Sequence, residues 1–160
     1  MRTDNGKVKQ IIISVYFILI VLAIVLATVF SAFKDLTTNA TLTFLVIFLV
    51  FVALFFAVYL IARYFEYDSD GVKVVVTNKG LLLPDKFSFR THEIEFEKSD
   101  LKAFKFNNYV IYKSLALYLK TASGHTIKEQ FNITLVNRKK RKYVRQSLSK
   151  MVKNNSENKG

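Results

Sequence analysis

The chain has no cysteine, no tryptophan, one proline and five glycines in 160 residues. Without cysteine it can form no disulfide, hold no metal through thiolate and offer no thiol nucleophile, so redox chemistry by the chain itself is not expected. Five glycines spell no phosphate-cradling loop, and no nucleophile motif is present. The two histidines, His92 and His125, stand 33 residues apart with no HxxH or HExxH spacing, which argues against a metal centre or a catalytic pair. No enzymatic activity, cofactor or small-molecule substrate is expected. Acidic residues are also scarce, 12 against 24 lysines and arginines, for a net charge of +12.

Charge is missing locally as well. No charged residue lies between Lys9 and Lys34 or between Asp35 and Arg63. The apolar runs 11–33 and 42–62 are each long enough, as helices, to cross a hydrocarbon slab roughly 30 Å thick. The first exceeds the usual h-region of a signal peptide and a second equal run follows at once, so both read as retained spans. The link from Lys34 to Thr41 is so short that they must run antiparallel, as a hairpin over 11–62. Met1–Gln10 carries +2, the link 0, Arg63–Asn137 +2 and Arg138–Gly160 +8. Because lysine and arginine near spans are retained on the cytoplasmic side, both termini are expected inside. The expectation is a multi-pass protein of the inner (cytoplasmic) membrane, with residues 1–10 a cytoplasmic N-terminus, 63–154 a cytoplasmic domain and 155–160 a frayed tail.

Within the spans, Ala23, Ala27 and Ser31 recur every four residues, as do Ala53 and Ala57. Small residues at that spacing let helix backbones approach closely in lipid, so these five are candidates for helix packing within the hairpin or against another subunit. No ionisable Asp, Glu, Lys, Arg or His lies inside either span, which argues against a pump or transporter acting alone.

From Arg63 the pattern changes to short alternating stretches between turn residues, the grammar of strands. Turns are expected at Asp68–Gly71, Asn78–Gly80, Pro84–Asp85, Ser99–Asp100, Asn107–Asn108 and Ala122–His125. Glu93, Glu95 and Glu97 alternate with Ile94 and Phe96 and so share a solvent face, while Leu115, Leu117 and Leu119 define a buried one. A slip of parity between Phe89 and Ile94 predicts a bulge near Thr91–His92. About seven short strands imply an antiparallel sandwich or barrel. After Asn132 the period becomes helical: Val144, Leu148, Met151 and Val152 share one face, with Asn137 as the expected N-cap.

That helix carries the most concentrated charge in the chain. Arg138, Lys139, Lys140, Arg141 and Lys142 are followed by Arg145, with no acidic residue before Glu157. Cations in the first turns of a helix oppose its dipole, so an anion nearby would relieve them. Close to a membrane, lipid headgroups are the nearest source, at roughly 1 kcal/mol per basic residue near the surface. Nucleic acid is disfavoured because aromatic interleaving is limited to Tyr143.

Strands first and one closing helix last resembles the pleckstrin-homology fold, most closely the bacterial pleckstrin-homology-like domains that follow a transmembrane hairpin. The resemblance rests on Val74 to Leu83 and Glu93 to Phe104, where a strand ends in a Gly-apolar step and is followed by an apolar-x-aromatic strand and an acidic-Leu step. The aromatic, often tryptophan in that family, is Phe96 here. The resemblance implies a membrane α-hairpin plus an α+β domain with no inherited catalytic site. The first strand–strand loop offers only Lys79, so specific phosphoinositide recognition is not implied. The expected function is a membrane-anchored interaction module contacting proteins or anionic lipid headgroups through Arg138, Lys139, Lys140, Arg141, Lys142 and Arg145. The alternatives are an accessory subunit packing through the hairpin against another membrane protein or a second copy, and a holin-like pore-forming oligomer.

Overall fold

The computed structural model describes residues 1–29, 39–80, 91–110, 112–121 and 123–157. Two compact units emerge: Lys7–Ala62, and a β-rich unit made of Met1–Gly6 together with Arg63–Gly160. The smaller unit holds two helices, α1 (Val8–Val29) and α2 (Ala40–Ile61), both long and apolar enough to cross a membrane. Half-covered residues of α1 recur at helical spacing through Val15, Tyr16, Leu19, Ala23 and Leu26, and those of α2 through Ile47, Phe51, Phe55 and Tyr59. Tyr16 donates its hydroxyl to the carbonyl of Phe55 at 3.1 Å and its ring lies 5.4 Å from that of Phe55. Large side chains thus form the contact that the structure shows between the two helices.

The β-rich unit begins before the hairpin. Strand β1 (Arg2–Asp4) pairs antiparallel with β2 (Arg63–Asp68), placing Thr3 opposite Tyr67. Strands β3 (Lys73–Gly80) and β4 (His92–Glu97) complete a meander in the order β1-β2-β3-β4. A 3-10 turn, Lys98–Asp100, leads into a second meander of β5 (Leu101–Asn108), β6 (Lys113–Lys120) and β7 (Thr126–Asn132). Helix α3 (Arg138–Glu157) closes the unit. Among the described residues this makes seven strands in two antiparallel sheets.

The two sheets face each other across one apolar core. Phe65, Tyr67, Val74, Val76 and Phe96 from the first sheet meet Leu101, Leu115, Leu117, Leu119 and Phe131 from the second, and Val144 and Leu148 of α3 seal it. Leu115, Leu117 and Leu119 are buried as expected, although Ser114 and Ala116 on the opposite parity are buried too, so β6 is covered on both sides over that stretch, and Glu93, Glu95 and Glu97 are exposed around the buried Phe96. Asn137 caps α3 as expected, its Oδ1 accepting the Lys139 amide at 3.0 Å.

Three expected features take a different form. Asn78–Gly80 is not a turn: β3 continues through it, pairing Asn78 with Phe65 and Gly80 with Arg63. An asparagine is tolerated there because its side chain replaces backbone partners, donating to the carbonyls of Tyr64 (3.0 Å) and Asn132 (2.9 Å) and accepting the Asn132 amide (3.3 Å). Asn107–Asn108 is likewise strand, paired with Lys113 and Ser114, and the chain reverses beyond Asn108, where the Tyr109 amide donates to the Tyr112 carbonyl at 2.8 Å. The end of α3 does not fray at Asn155, which is helical and donates to the carbonyls of Lys98 (2.7 Å) and Leu101 (3.0 Å). The expected strand content of Leu81–Arg90 and most of the expected parity break lie outside the described residues. The described bulge falls between Leu101 and Ala103, where the pairing of β5 with β6 shifts.

Asn78 is buried and stitches β3 to β2 and to β7 of the opposite sheet. Replacing it with alanine removes three hydrogen bonds from a region that water does not reach. Asn78→Ala is expected to lower the unfolding free energy of the full chain in detergent micelles by about 2–3 kcal/mol, read from urea denaturation. A smaller change than that of an exposed Asn→Ala control would refute the bridging role.

Tyr67 is buried with its hydroxyl 2.9 Å from Ser147 Oγ. Burial raises its pKa above the usual 10.0, opposed by the hydrogen bonds to Ser147 and Ser69. The folded state therefore holds the phenol proton after the unfolded chain has lost it. The stability is complete below the ordinary tyrosine pKa and falls as pH rises toward the raised value. Tyr67→Phe is expected to cost about 1 kcal/mol near neutral pH through the lost hydrogen bond and to flatten the alkaline fall in melting temperature. An unchanged alkaline slope would show that Tyr67 does not contribute to it.

Candidate functional site: a basic groove beside helix α3

The packing of Val144 and Leu148 into the core fixes which way the rest of α3 faces. Residues near Val144 along the helix but off its axis of contact then project from the unit, and they are cationic. Between α3 and the β5–β6 hairpin lies an open groove of about 1120 Å³. Arg138, Lys139, Arg141, Lys142 and Arg145 line it from the helix, Lys113 from β6, and Phe106, Asn108, Asn137 and Gln146 complete it. Among the described residues six cations line this groove and no carboxylate does.

Two geometric details set the character of the groove. The Arg145 guanidinium lies over the Phe106 ring, 4.8 Å from its centroid, a stacking that holds the planar group while leaving its edge N–H donors free to face a ligand. Arg141 Nε is buried and has no hydrogen-bond partner among the described residues. A buried unsatisfied donor of this kind costs about 1–3 kcal/mol, more when charged.

Electrostatics point the same way. The ion pairs among the described residues are Met1 amine–Asp70, Arg2–Glu66, Lys73–Glu95, His92–Glu129 and Lys153–Glu157. None uses a cation of the groove. The carboxylate row of β4 is engaged elsewhere: Glu95 with Lys73 at 2.9 Å, Glu93 with the Thr77 hydroxyl at 3.2 Å and Glu97 with that of Ser99 at 3.4 Å. It does not seat the basic helix, and among the described residues no group of three or more metal-ligating side chains forms. His92 contacts Glu129 at 2.9 Å and packs against Phe131, 4.9 Å between ring centres, which is a structural role.

The expected contact residues separate into two sets. Arg138, Lys139, Arg141, Lys142 and Arg145 share the groove. Lys140 turns away, its ammonium donating to the backbone carbonyl of Asp4 in β1. Lys113 and Phe106 join the groove from strands well separated in sequence from Arg141, and no local pattern signals them. Of the small residues in the spans, Ala23 is half-covered, Ala27, Ala53 and Ala57 are exposed, and Ser31 lies outside the described residues. No family model, curated protein or solved structure matches this chain.

The separation of Lys140 from its neighbours generates a test. Lys140→Gln is expected to destabilise the unit by about 1–2 kcal/mol and to speed amide exchange in Arg2–Asp4, with anion binding at the groove weakened far less than by Arg141→Gln. Arg141→Gln should do the reverse. Equal effects of both substitutions on amide exchange in β1 would refute the division.

Proposed function

We propose that this chain is a membrane-anchored interaction module with a pleckstrin-homology-like domain, which docks an anionic partner in the groove beside α3. One observation carries the reading: six cations converge on a single groove without one carboxylate to neutralise them. The preferred partner groups are phosphate or carboxylate oxygens, which suit planar guanidinium donors.

The fold reading is supported by the order of elements: a four-stranded meander, a three-stranded meander and a closing helix. The hairpin interrupts that domain after β1 instead of preceding it. Anchoring is supported by the length and apolarity of α1 and α2. The path of the chain adds to it, because the β-rich unit is left at Gly6 and rejoined at Arg63, so two spans in series return the chain to the side it left. Positive charge on the flanking segments supports a cytoplasmic position for that side.

The reading is tested with the full chain in neutral detergent micelles, titrated calorimetrically with a short-chain phosphatidylglycerol. Binding is expected to weaken by an order of magnitude or more as salt rises from about 0.1 M to about 1 M, where the screening length falls from about 10 Å to about 3 Å. Joint replacement of Arg138, Lys139, Arg141, Lys142 and Arg145 by glutamine should abolish it with the fold intact by circular dichroism. Binding indifferent to both salt and these substitutions would overturn the groove as the docking site.

A further inference from the structure

The β5–β6 hairpin ends in a tip that a water-facing loop would not be expected to carry. Val110 is fully exposed at 101 %, Tyr109 at 62 % and Tyr112 at 37 %. The two tyrosine rings stack on each other, 6.4 Å between centroids, so the tip is held in shape and not splayed. Asn108 and Lys113, the last pair of the β5–β6 ladder, are at once the base of this tip and part of the groove lining. An apolar, aromatic tip therefore stands at the rim of a groove lined by cations.

This juxtaposition narrows the partner. A sequence of two aliphatic residues between two tyrosines, Tyr109-Val-Ile-Tyr112, suits the boundary where headgroups give way to acyl chains, because tyrosine places its ring in apolar surroundings and its hydroxyl among polar ones. Cations alongside suit the phosphates of the same surface. A soluble anion would use the cations and leave the tip idle, whereas a bilayer uses both. A bilayer is also within constant reach of a chain that carries two helices apolar enough to enter one, with β2 beginning one residue after α2 ends. We infer that the groove and the β5–β6 tip form one bilayer-docking surface, in which Tyr109, Val110 and Tyr112 enter the headgroup boundary of an anionic membrane while Arg141, Arg145 and Lys113 bind its phosphates. This rests on the groove being an anion site, and it adds the identity of the anion's source.

The composition of the chain provides clean probes, since it has no tryptophan and no cysteine. Full-length V110W, reconstituted in discs of phosphatidylcholine alone or mixed with phosphatidylglycerol, is compared with V72W, which places its indole on the exposed turn between β2 and β3. A separate variant, Tyr143→Cys on the exposed side of α3, carries an environment-sensitive dye that reports the approach of the helix to headgroups. The expected result is a blue-shifted V110W emission quenched by brominated acyl chains in anionic discs only, an aqueous V72W, and a dye response in the same discs. Val110→Asp, at a position that packs against nothing, should raise several-fold the anionic lipid fraction needed for half-maximal dye response. A dye response without V110W quenching would overturn insertion of the tip and leave the anion site standing. Silence of both probes would overturn the two together. Equal quenching in neutral discs, or equal quenching of V72W, would overturn the joint action of tip and cations.

Discussion

The pairing of three residues at the start of the chain with three residues beyond the hairpin is the constraint on which the β-rich unit depends. Arg2, Thr3 and Asp4 lie opposite Asp68, Tyr67 and Glu66, and the ladder continues through Asn5. Asn5 exchanges backbone and side-chain hydrogen bonds with the next strand: its amide donates to the Phe65 carbonyl (3.1 Å), its Oδ1 accepts the Phe65 amide (2.8 Å), and its Nδ2 donates to the Arg63 carbonyl (3.0 Å). A strand this short contributes little by itself, and closing a loop of some sixty residues to form it is entropically costly. It persists because several independent groups converge on it. The Met1 amine meets Asp70, Arg2 Nε meets Glu66 at 2.7 Å, and Lys140 reaches the Asp4 carbonyl from α3. The edge of the first sheet, which would otherwise expose β2, is thereby covered by the protein's own N-terminus.

Lys140 makes the two ends of the β-rich unit interdependent. It belongs to a run of five cations in the first turns of α3, a placement that the helix dipole disfavours by some tenths of a kcal/mol per charge. Burial of Val144 and Leu148, capping by Asn137, and the anchoring of Asn155 on the turn at Lys98–Asp100 hold the helix in spite of that repulsion. Four of the five cations are left facing the groove and one is spent on β1. The core thus keeps a cluster of like charges in place against their mutual repulsion.

Much of this was legible in the sequence because it depends on period or on composition. Two uncharged windows, the alternation of Leu115, Leu117 and Leu119, and the shared face of Val144 and Leu148 each encode one element locally. The cationic character of α3 was legible for the same reason. What escaped depends on contacts across the chain. Arg-Thr-Asp is too short and too polar to display a strand period, and its status is conferred by β2 alone. Asn78 and Asn107–Asn108 carry the composition of turns, yet they lie in strands because a neighbouring strand supplies partners for their amides or their backbone. The same holds for the groove. Adjacent residues of one basic run diverge by the helical turn, so Lys140 and Arg141 serve different ends, and Phe106 and Lys113 enter only through the sheet.

Because the groove and β1 are both held by α3, an anion bound as proposed would influence the order of β1. An anion bound among Arg138, Lys139, Arg141, Lys142 and Arg145 would reduce the repulsion along the first turns of the helix and so favour the helical state of Lys140 with them. Anything that binds only the folded unit stabilises it by mass action, by an amount set by its concentration relative to its dissociation constant. Part of that stabilisation must reach the β1–β2 pair, which is held from α3 through the Lys140 contact and closes the chain across the hairpin. In the opposite direction, loss of the Asp4 carbonyl would leave Lys140 to add its charge to a cluster already without acidic partners, and the first turn would weaken. Proposed anion binding and N-terminal strand order would for this reason be coupled through the same first turn of α3, without any hinge or second conformation being required.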